Sequence, residues 1–276
     1  APDVEAIQVE EKTCYIISIT EFPVKPVSYK GRYYKRVKNS NQQLNSSEIA
    51  LMHLQARNTS WDFAPDPRHT LEDIDFDKVN RFVSLCNRIR RNPIEDDALQ
   101  VLNKFELINK NEISNGCYLL FGSGNIFTAG IELGRFADEI TIEDNLSLRE
   151  DLISEVKQTL DFIAKHTRTR YIIGKQAQRS EETEYPFEAV REFVLNMILH
   201  RDYQSSADSI IKIYDDKIEF YNPGGLVEGL SIEDVLTGRK ASVPRNKQIA
   251  YIFKEAGLIE KYGSGILRAL SDRKST

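Results

Sequence analysis

The chain has 276 residues, 41% of them hydrophobic and 29% charged, which is the balance of a folded globular protein with room for about two domains. Its formal net charge of -5 argues against a protein that coats nucleic acid by bulk charge, although one local basic surface is compatible with it. No apolar run approaches the roughly 20 residues that a membrane-spanning helix requires. Three cysteines, far apart in sequence, indicate reduced thiols and a cytoplasmic location rather than a disulfide framework.

Several common catalytic motifs are missing from the sequence. There is no HExxH or CxxC pattern, and the four histidines are scattered, so a zinc site is not indicated. The chain has no GxxxxGK[ST] motif, which excludes a P-loop motor or helicase, and no GxSxG nucleophile elbow. The function therefore has to be sought in less familiar patterns.

The first 60 residues contain short β-strand patterns. Residues 14–20 are rich in β-branched and aromatic side chains, and a second β-rich stretch over 27–38 has Lys30-Gly31 at its centre. We expect a strand and then a hairpin that turns at this dipeptide. Ser46 or Ser47 is predicted to cap a short helix over about 47–57. A domain boundary is expected in the proline-rich, polar stretch that follows, 58–69.

The rest of the chain alternates between helical and strand patterns. Before residue 170 these patterns predict helices near 76–86 and 93–104, strands at 117–121 and 130–136, and a long amphipathic helix over 148–166. After it they predict a strand at 170–173, a helix over 187–199, a hairpin over 209–221, a short helix capped by Ser231 and Asp234, and a helix over 246–255 that ends at Gly257.

The stretch from Lys25 to Lys38 carries six basic residues and no acid, interleaved with three tyrosines. Two interpretations are open. On the first, the basic side chains contact DNA phosphates and the tyrosine rings stack on bases. On the second, the residues form the solvent-exposed face of a hairpin, and their charges keep the edge strand from pairing with other chains. On the first interpretation the DNA-binding candidates are Lys30, Arg32, Lys35, Arg36 and Lys38.

The helix predicted over 187–199 is apolar almost all round, which is typical of a buried helix. Glu188, Glu192, Asn196 and His200 nevertheless recur every four residues and so share one narrow stripe. The stripe is either the solvent-exposed side of a helix that otherwise packs in the core, or a polar surface that faces a pocket or a metal ion. Burying a carboxylate without a partner is costly, which makes the second alternative worth testing.

Three later motifs contain residues suited to ligand contact: Asn222-Pro-Gly-Gly225 after a predicted strand, Ser242-Val-Pro-Arg-Asn246 before a predicted helix, and Tyr262-Gly-Ser-Gly265 at a predicted helix N-terminus. Free backbone N–H groups at a helix start favour anions such as phosphate. Taken singly, Gly-Gly after a strand more often marks a turn, and GxG before a helix more often marks a hinge or a cap.

In this order the motifs resemble a known family. EFVLNMILHRDY, IKIYDDKIEFYNPGGL and SVPRNKQIAYIFKEAGLIEKYGSGI are similar to the RecG C-terminal-like, GHKL-related ATP-binding module of predicted bacterial and archaeal transcriptional regulators. Upstream, PVSYKGRYYKRVKNSNQQLNSSEI resembles the last part of the Schlafen AlbA-type DNA-binding domain that precedes this module, and ISNGCYLLFG resembles the segment that links them.

The resemblance implies an α+β fold with a small β-rich N-terminal portion and a GHKL-like, Bergerat-type α/β sandwich. It divides the chain into the C-terminal part of an AlbA-type domain (1–60), a helical and β connecting region (61–145) and the GHKL-like module (146–276). We expect the chain to be part of a longer protein, because the upstream half of the AlbA-type domain and the winged-helix segment that often follows the module are not in it.

The resemblance also implies site residues for ATP and Mg²⁺. Glu192 falls at the position of the water-activating general base and Asn196 at that of the Mg²⁺ ligand. Asn222 stands where the family has an adenine-contacting Asp, and the glycine spacing after it also differs, so hydrolysis is expected less than binding. The other nucleotide-binding candidates are Gly224, Gly225, Arg245, Asn246, Gly263 and Gly265.

Three hypotheses follow for the function. The first is a DNA-associated transcriptional regulator, homo-oligomeric and not membrane-bound, with a degenerate GHKL-like nucleotide-binding module. The second is a GHKL-type ATPase with Glu192 as its base. The third is a non-catalytic scaffold in which the module only mediates oligomerisation.

Overall fold

The computed structural model describes residues 3–10, 12–19, 25–56, 59–167, 169–173, 179–183, 185–226, 230–237 and 243–259. The chain separates into two compact units, residues 1–59 and 60–276. Both units combine small sheets with helices, which confirms the predicted α+β class. Within the described residues, no helix is both long enough and apolar enough to cross a membrane.

The first unit contains two small antiparallel sheets and one helix. Strands β1 (Asp3–Val9) and β2 (Lys12–Ser18) pair with each other, and β3 (Ser28–Tyr29), β4 (Arg32–Val37) and β5 (Ser40–Gln43) form a three-stranded sheet in that order. Lys30 and Gly31 both have positive φ, at 49° and 74°, which is the backbone of a tight two-residue hairpin turn and confirms the turn predicted there.

Helix α1 (Ser46–Ala56) begins close to its predicted start, but its cap is Asn45 rather than a serine. The side chain of Asn45 accepts a hydrogen bond from the Glu48 N–H at 2.9 Å, and the Glu48 carboxylate accepts one from the Asn45 N–H at 2.9 Å. This reciprocal arrangement is a capping box. The side-chain oxygen of Asn45, one residue before Ser46, has the role that was predicted for a serine hydroxyl.

The second unit opens with helical elements. They are α2 (Phe76–Ile89), α3 (Ala98–Lys104), a short hairpin of β6 (Ile108–Asn109) and β7 (Glu112–Ile113), and α4 (Asn115–Phe121), with single-turn 3₁₀ helices at Trp61–Phe63 and Leu71–Asp73. The helix predicted over 93–104 begins only at residue 98, because the side chain of Asp97 caps it by accepting from the Gln100 N–H at 2.8 Å.

The strand predicted at 117–121 is wrong, because these residues lie in α4. The Ser114 hydroxyl oxygen accepts a hydrogen bond from the Cys117 N–H at 3.0 Å and so caps a helix. Leu119, Leu120 and Phe121 are all fully buried. A short apolar run that is buried on every side has neither strand nor helix periodicity, so its pattern could not distinguish the two structures.

The main sheet has the strand order β13-β12-β8-β9, from β8 (Ile131–Phe136), β9 (Ile142–Leu148), β12 (Ser209–Ile213) and β13 (Ile218–Tyr221). Strands β12 and β8 are parallel, and the other neighbours are antiparallel. The predicted boundary between residues 145 and 146 falls inside β9. The predicted hairpin over 209–221 is confirmed as β12 and β13.

Two long helices accompany this sheet: α5 (Leu152–His166), which contacts β8, and α6 (Phe187–His200), which packs against α5. The remaining elements are a 3₁₀ turn (Phe127–Ala129), a hairpin of β10 (Thr169–Ile173) and β11 (Arg179–Thr183), α7 (Ile232–Thr237) and α8 (Lys247–Glu255). Buried side chains from α2, α4, the sheet, α5, α6 and α8 belong to one continuous hydrophobic core. That core holds the C-terminal end of α6 against the elements that carry the predicted site residues.

Candidate functional site

Helix α6 buries its apolar side chains and leaves its polar stripe at a half-buried surface. Val194 and Ile198 are buried, whereas Glu192 and Asn196 are half-buried and Glu188 is exposed. The Asn196 Nδ2 donates a hydrogen bond to the Glu192 Oε1 at 3.0 Å. In the described part of the chain the Asn196 Oδ1 accepts no hydrogen bond, so an amide oxygen and a carboxylate stand together with ligand capacity left.

An aromatic pair lies beside this polar stripe. Phe193 of α6 and Phe220 of β13 stack with ring centroids 5.6 Å apart and an interplanar angle of 27°. Phe193 is 43% exposed, although Val194 and Leu195, which follow it in α6, are buried. The exposure of Phe193 differs from the burial predicted for its helix, because the apolar pattern does not show which side of the helix its neighbours leave open.

Asn222, directly after β13, is tied to two neighbours. Its Nδ2 donates to the main-chain oxygen of Met197 at 2.9 Å, and its Oδ1 accepts from the Ser209 hydroxyl at 2.8 Å. The first bond places Asn222 next to α6, beside the residue that follows Asn196. The half-buried Asn222 side chain therefore lies next to the C-terminal half of α6.

Arg245 connects the turn after β13 to the end of α6. Its Nε donates to the main-chain oxygen of His200 at 3.1 Å and its Nη2 to that of Gly225 at 2.7 Å. Gly224 has a φ of +100°, and a Cβ there would lie 3.0 Å from the Cβ of Asp202, so only glycine fits this turn.

Burial and the Arg245 charge lower the pKa of His200, which favours its neutral form.

The Asn246 side chain is almost fully buried and is committed to the protein itself. Its Nδ2 donates to the main-chain oxygens of Leu199 at 3.1 Å and Arg201 at 2.9 Å, and its N–H donates to Leu199 as well. These bonds satisfy carbonyl groups that the end of α6 leaves without helical partners. A phosphate contact by this amide would require them to break, so Asn246 acts here as a helix cap, which its place in the sequence did not reveal.

A cluster of buried polar side chains lies between α5 and the end of α6. Arg201 is 2% exposed and donates to the main-chain oxygens of Gly130 and Ala207. Glu155 and Thr159, one turn apart on α5, are fully buried, and the Glu155 Oε2, the Thr159 Oγ1 and the Arg201 Nε have no partner among the described residues. Burial raises the pKa of Glu155 to about 9, against the opposing effect of the Arg201 charge.

Gly263 and Gly265 of the predicted phosphate loop lie outside the described residues. The described oxygen donors nevertheless fit Mg²⁺, which takes oxygen ligands and is commonly held by one or two protein groups together with substrate phosphates. Asn196 Oδ1 and the Glu192 carboxylate are the groups of this kind at the α6 stripe. No cluster of three or more metal-ligating His, Cys, Asp or Glu side chains occurs among the described residues.

In the first unit, the basic candidates separate onto two faces of a sheet. Alternate residues of β4 share a face, and Arg32, Tyr34 and Arg36 are all exposed on one of them. Their cross-strand partners Tyr29, Gln43 and Asn41 extend this open face. Lys35 points to the other side, where it forms an ion pair with Glu48 of α1. Lys30 and Lys38 lie in the turns at either end of β4.

A family model matches part of the second unit. Residues 207–275, which begin after α6, match the model of a family described as "Putative ATP-dependent DNA helicase recG C-terminal". The chain is similar in fold to the crystal structure of the DIP2311 protein from Corynebacterium diphtheriae, with a TM-score of 0.63 and 20% sequence identity over 98% of this chain. The chain spans 54% of that protein, about half its length. No curated protein matches the chain.

Proposed function

We propose that the second unit binds an adenine nucleotide at a site that includes α6 and the turn after β13. One observation carries the proposal. The hydrogen-bonded pair Glu192–Asn196 lies at a half-buried surface, and Asn222 is bonded to the residue next to Asn196. The exposed Phe193 ring adjoins them. An apolar ring surface beside a few fixed polar groups is the usual character of a small-ligand site.

The match of residues 207–275 to an ATPase-type family supports ATP as the ligand class. Because that match begins after α6, the contribution of Glu192 and Asn196 rests on the geometry described above. A helicase motor is not part of the proposal, since the chain contains no P-loop motif.

Mg²⁺ fits this proposal through Asn196, whose Oδ1 has ligand capacity left. When bound with the nucleotide, the ion supplies charge neutralisation at the phosphate oxygens. Glu192 uses Oε1 to accept from Asn196 and keeps Oε2 to take a proton from a water molecule, which is the role of a general base. We propose binding as the principal activity and hydrolysis as weak, because the chain departs from the family pattern at Asn222 and in the glycine spacing that follows it.

Isothermal titration of the whole chain with ATP, in Mg²⁺ and in EDTA, tests this function. We expect Mg²⁺-dependent binding that Asn196→Ala weakens at least tenfold, and phosphate release, where measurable, that Glu192→Ala abolishes while binding persists. Glu188→Ala is the matched control, because Glu188 lies one turn away on the same stripe but is exposed. No heat at millimolar ATP, or an equal effect of Glu188→Ala, would refute the site.

DNA binding by the first unit is a second candidate function, and the open face of Arg32, Tyr34 and Arg36 favours it. Guanidinium groups can contact phosphates while the tyrosine rings stack on bases. Together the two sites form the proposed DNA-associated regulator. Control of assembly by the nucleotide is the mechanism proposed to connect them, and light scattering with and without ATP measures it. A mass that is the same in both conditions contradicts nucleotide control, and a nucleotide-independent oligomer favours the scaffold hypothesis.

A further inference from the structure

Two tyrosine rings protrude from the open face of the three-stranded sheet in the first unit. Tyr29 of β3 is 66% exposed and Tyr34 of β4 is 42% exposed. Tyr29 lies directly opposite Arg32, and Tyr34 follows Arg32 by two residues on the same strand, so all three side chains share one face. Solvent-facing positions of a sheet are normally polar, so two neighbouring exposed rings point to a surface that contacts another molecule.

The spacing of the two rings limits what they can bind. Tyr29 and Tyr34 occupy diagonal positions on adjacent strands, which lie roughly 7–8 Å apart. Successive bases along one strand of a duplex are only about 3.4 Å apart and cover one another's faces. A tyrosine ring stacks on a base only where the face of that base is uncovered. Two rings at this distance can therefore each take a base from a single strand, whose bases are free to separate, but not from an intact duplex.

The charges around the rings suit a phosphate backbone. Residues 25–47, which include all three strands, contain no acidic side chain. Arg32 and Arg36 flank Tyr34 on β4, and both are exposed. The Arg36 Nη1 donates a hydrogen bond to the Asn41 Oδ1 at 2.8 Å, which holds this guanidinium on the face. A cation therefore stands on either side of the Tyr34 ring, where it can contact the phosphates that flank a stacked base.

We propose that this face binds single-stranded nucleic acid in preference to a duplex, with a base stacked on each of Tyr29 and Tyr34 and phosphates at Arg32 and Arg36. The inference rests on the DNA binding proposed for the first unit and names the strand state that this site takes. Every base has a flat π-face, so the stacking is tolerant of sequence, and DNA and RNA single strands both present the required chemistry.

The first test uses the whole unaltered chain and fluorescence anisotropy at one salt concentration. Three labelled probes of equal length, about 12 nucleotides, are compared: a single-stranded DNA of mixed sequence, the RNA of the same sequence, and the DNA duplex. We expect one or both single strands to bind about tenfold or more tighter than the duplex, and the tighter one identifies the preferred polymer. A duplex that binds as tightly as both single strands overturns the inference and leaves DNA binding by the first unit standing. Failure of all three probes to bind refutes both.

The second test removes the rings and keeps the cations. The double variant Tyr29→Ala, Tyr34→Ala should lose about tenfold or more in affinity for the single strand, while its affinity for the duplex changes less than about twofold and the salt dependence of binding is unchanged. The double variant Tyr29→Phe, Tyr34→Phe keeps the rings and should bind like the unaltered chain.

Tyr15→Ala is the matched control, because Tyr15 is also an exposed tyrosine of the first unit, at 69%, but lies on β2 in the other sheet. Thermal unfolding verifies that each variant is folded. A merely structural role of the rings would lower the single-strand and duplex affinities together. That result, or an equal loss of single-strand affinity in Tyr15→Ala, overturns the inference.

Discussion

The amide nitrogen of Asn246 lies 2.9 Å from the main-chain oxygen of Arg201, and this contact joins the loop before α8 to the end of α6. Arg201 in turn donates to the Ser209 hydroxyl, which donates to Asn222. The same buried polar groups that close α6 thus also hold Asn222, in the turn of the proposed nucleotide site. A residue that the family resemblance made a nucleotide-binding candidate acts here as a helix cap.

Asn246→Ala should lower the free energy of unfolding by about 1–2 kcal/mol, because it leaves the Arg201 carbonyl without its donor and removes one of the two donors from the Leu199 carbonyl. Asn246→Asp should be at least as damaging, since a carboxylate cannot donate to those carbonyls and would be buried beside them. Urea unfolding monitored by circular dichroism measures both. A loss below about 0.5 kcal/mol in the alanine variant would show that the cap is dispensable.

Glu155 should make the stability of the protein fall as the pH rises. Burial raises the pKa of its carboxyl to about 9, so the folded state keeps a proton that the unfolded state releases above about pH 4.5. The unfolded state then binds fewer protons, and stability is greatest below that pH and is lost progressively up to about pH 9. The loss should be on the order of 1 kcal/mol per pH unit within this window.

The variant Glu155→Gln isolates this effect, because its side chain is neutral and nearly isosteric with the protonated acid. The difference in unfolding free energy between Glu155→Gln and the unaltered chain should grow in favour of the variant from about pH 5 to about pH 9. Urea unfolding at several pH values gives this difference directly. A difference that does not change with pH would mean that Glu155 is ionised throughout.

Asp62 should stabilise α8 from a distant part of the chain. Its Oδ2 accepts from the Ile249 N–H at 2.9 Å, and Ser60, which bonds the same carboxylate, accepts from the Lys247 N–H at 3.1 Å. We expect Asp62→Ala to cost about 2 kcal/mol, since it leaves N–H groups at a buried helix start without an acceptor. Asp234→Ala, at the cap of α7 where the bonds are exposed, is the control and should cost clearly less in the same unfolding assay.

The open face of the first unit should carry the salt dependence of any DNA binding. The double variant Arg32→Ala, Arg36→Ala should reduce the slope of log affinity against log salt concentration by nearly 2, about 0.9 for each phosphate that the protein no longer neutralises. Lys35→Ala is the matched control, with a smaller effect expected because Lys35 is paired with Glu48 on the other face. Fluorescence anisotropy with a short duplex, over a series of salt concentrations, provides the slopes. Equal slopes in the double variant and the unaltered chain would exclude this face.

The sequence alone was sufficient for elements whose signals are local. The hairpin of β12 and β13 is predicted by two β-rich runs on either side of Asp215-Asp216. Pro186 predicts the start of α6, and Gly257 predicts the C-terminal end of α8. These signals are local because helix and strand periodicity, turns and caps involve only residues that are near in sequence. The Glu192–Asn196 pair was predictable for the same reason, since one helical turn puts both side chains on one face.

The tertiary structure decided what depends on residues distant in the chain. Helix α4 was mistaken for a strand because burial on all sides removes the periodic signal. Asn246 could not be recognised as a cap from its own segment, since the carbonyl groups it satisfies belong to Leu199 and Arg201. The orientation of Asn222 likewise depends on Met197 and Ser209, which only packing brings to it. The local sequence pattern determines which helix or strand forms, whereas the tertiary packing determines which group each buried polar atom bonds to.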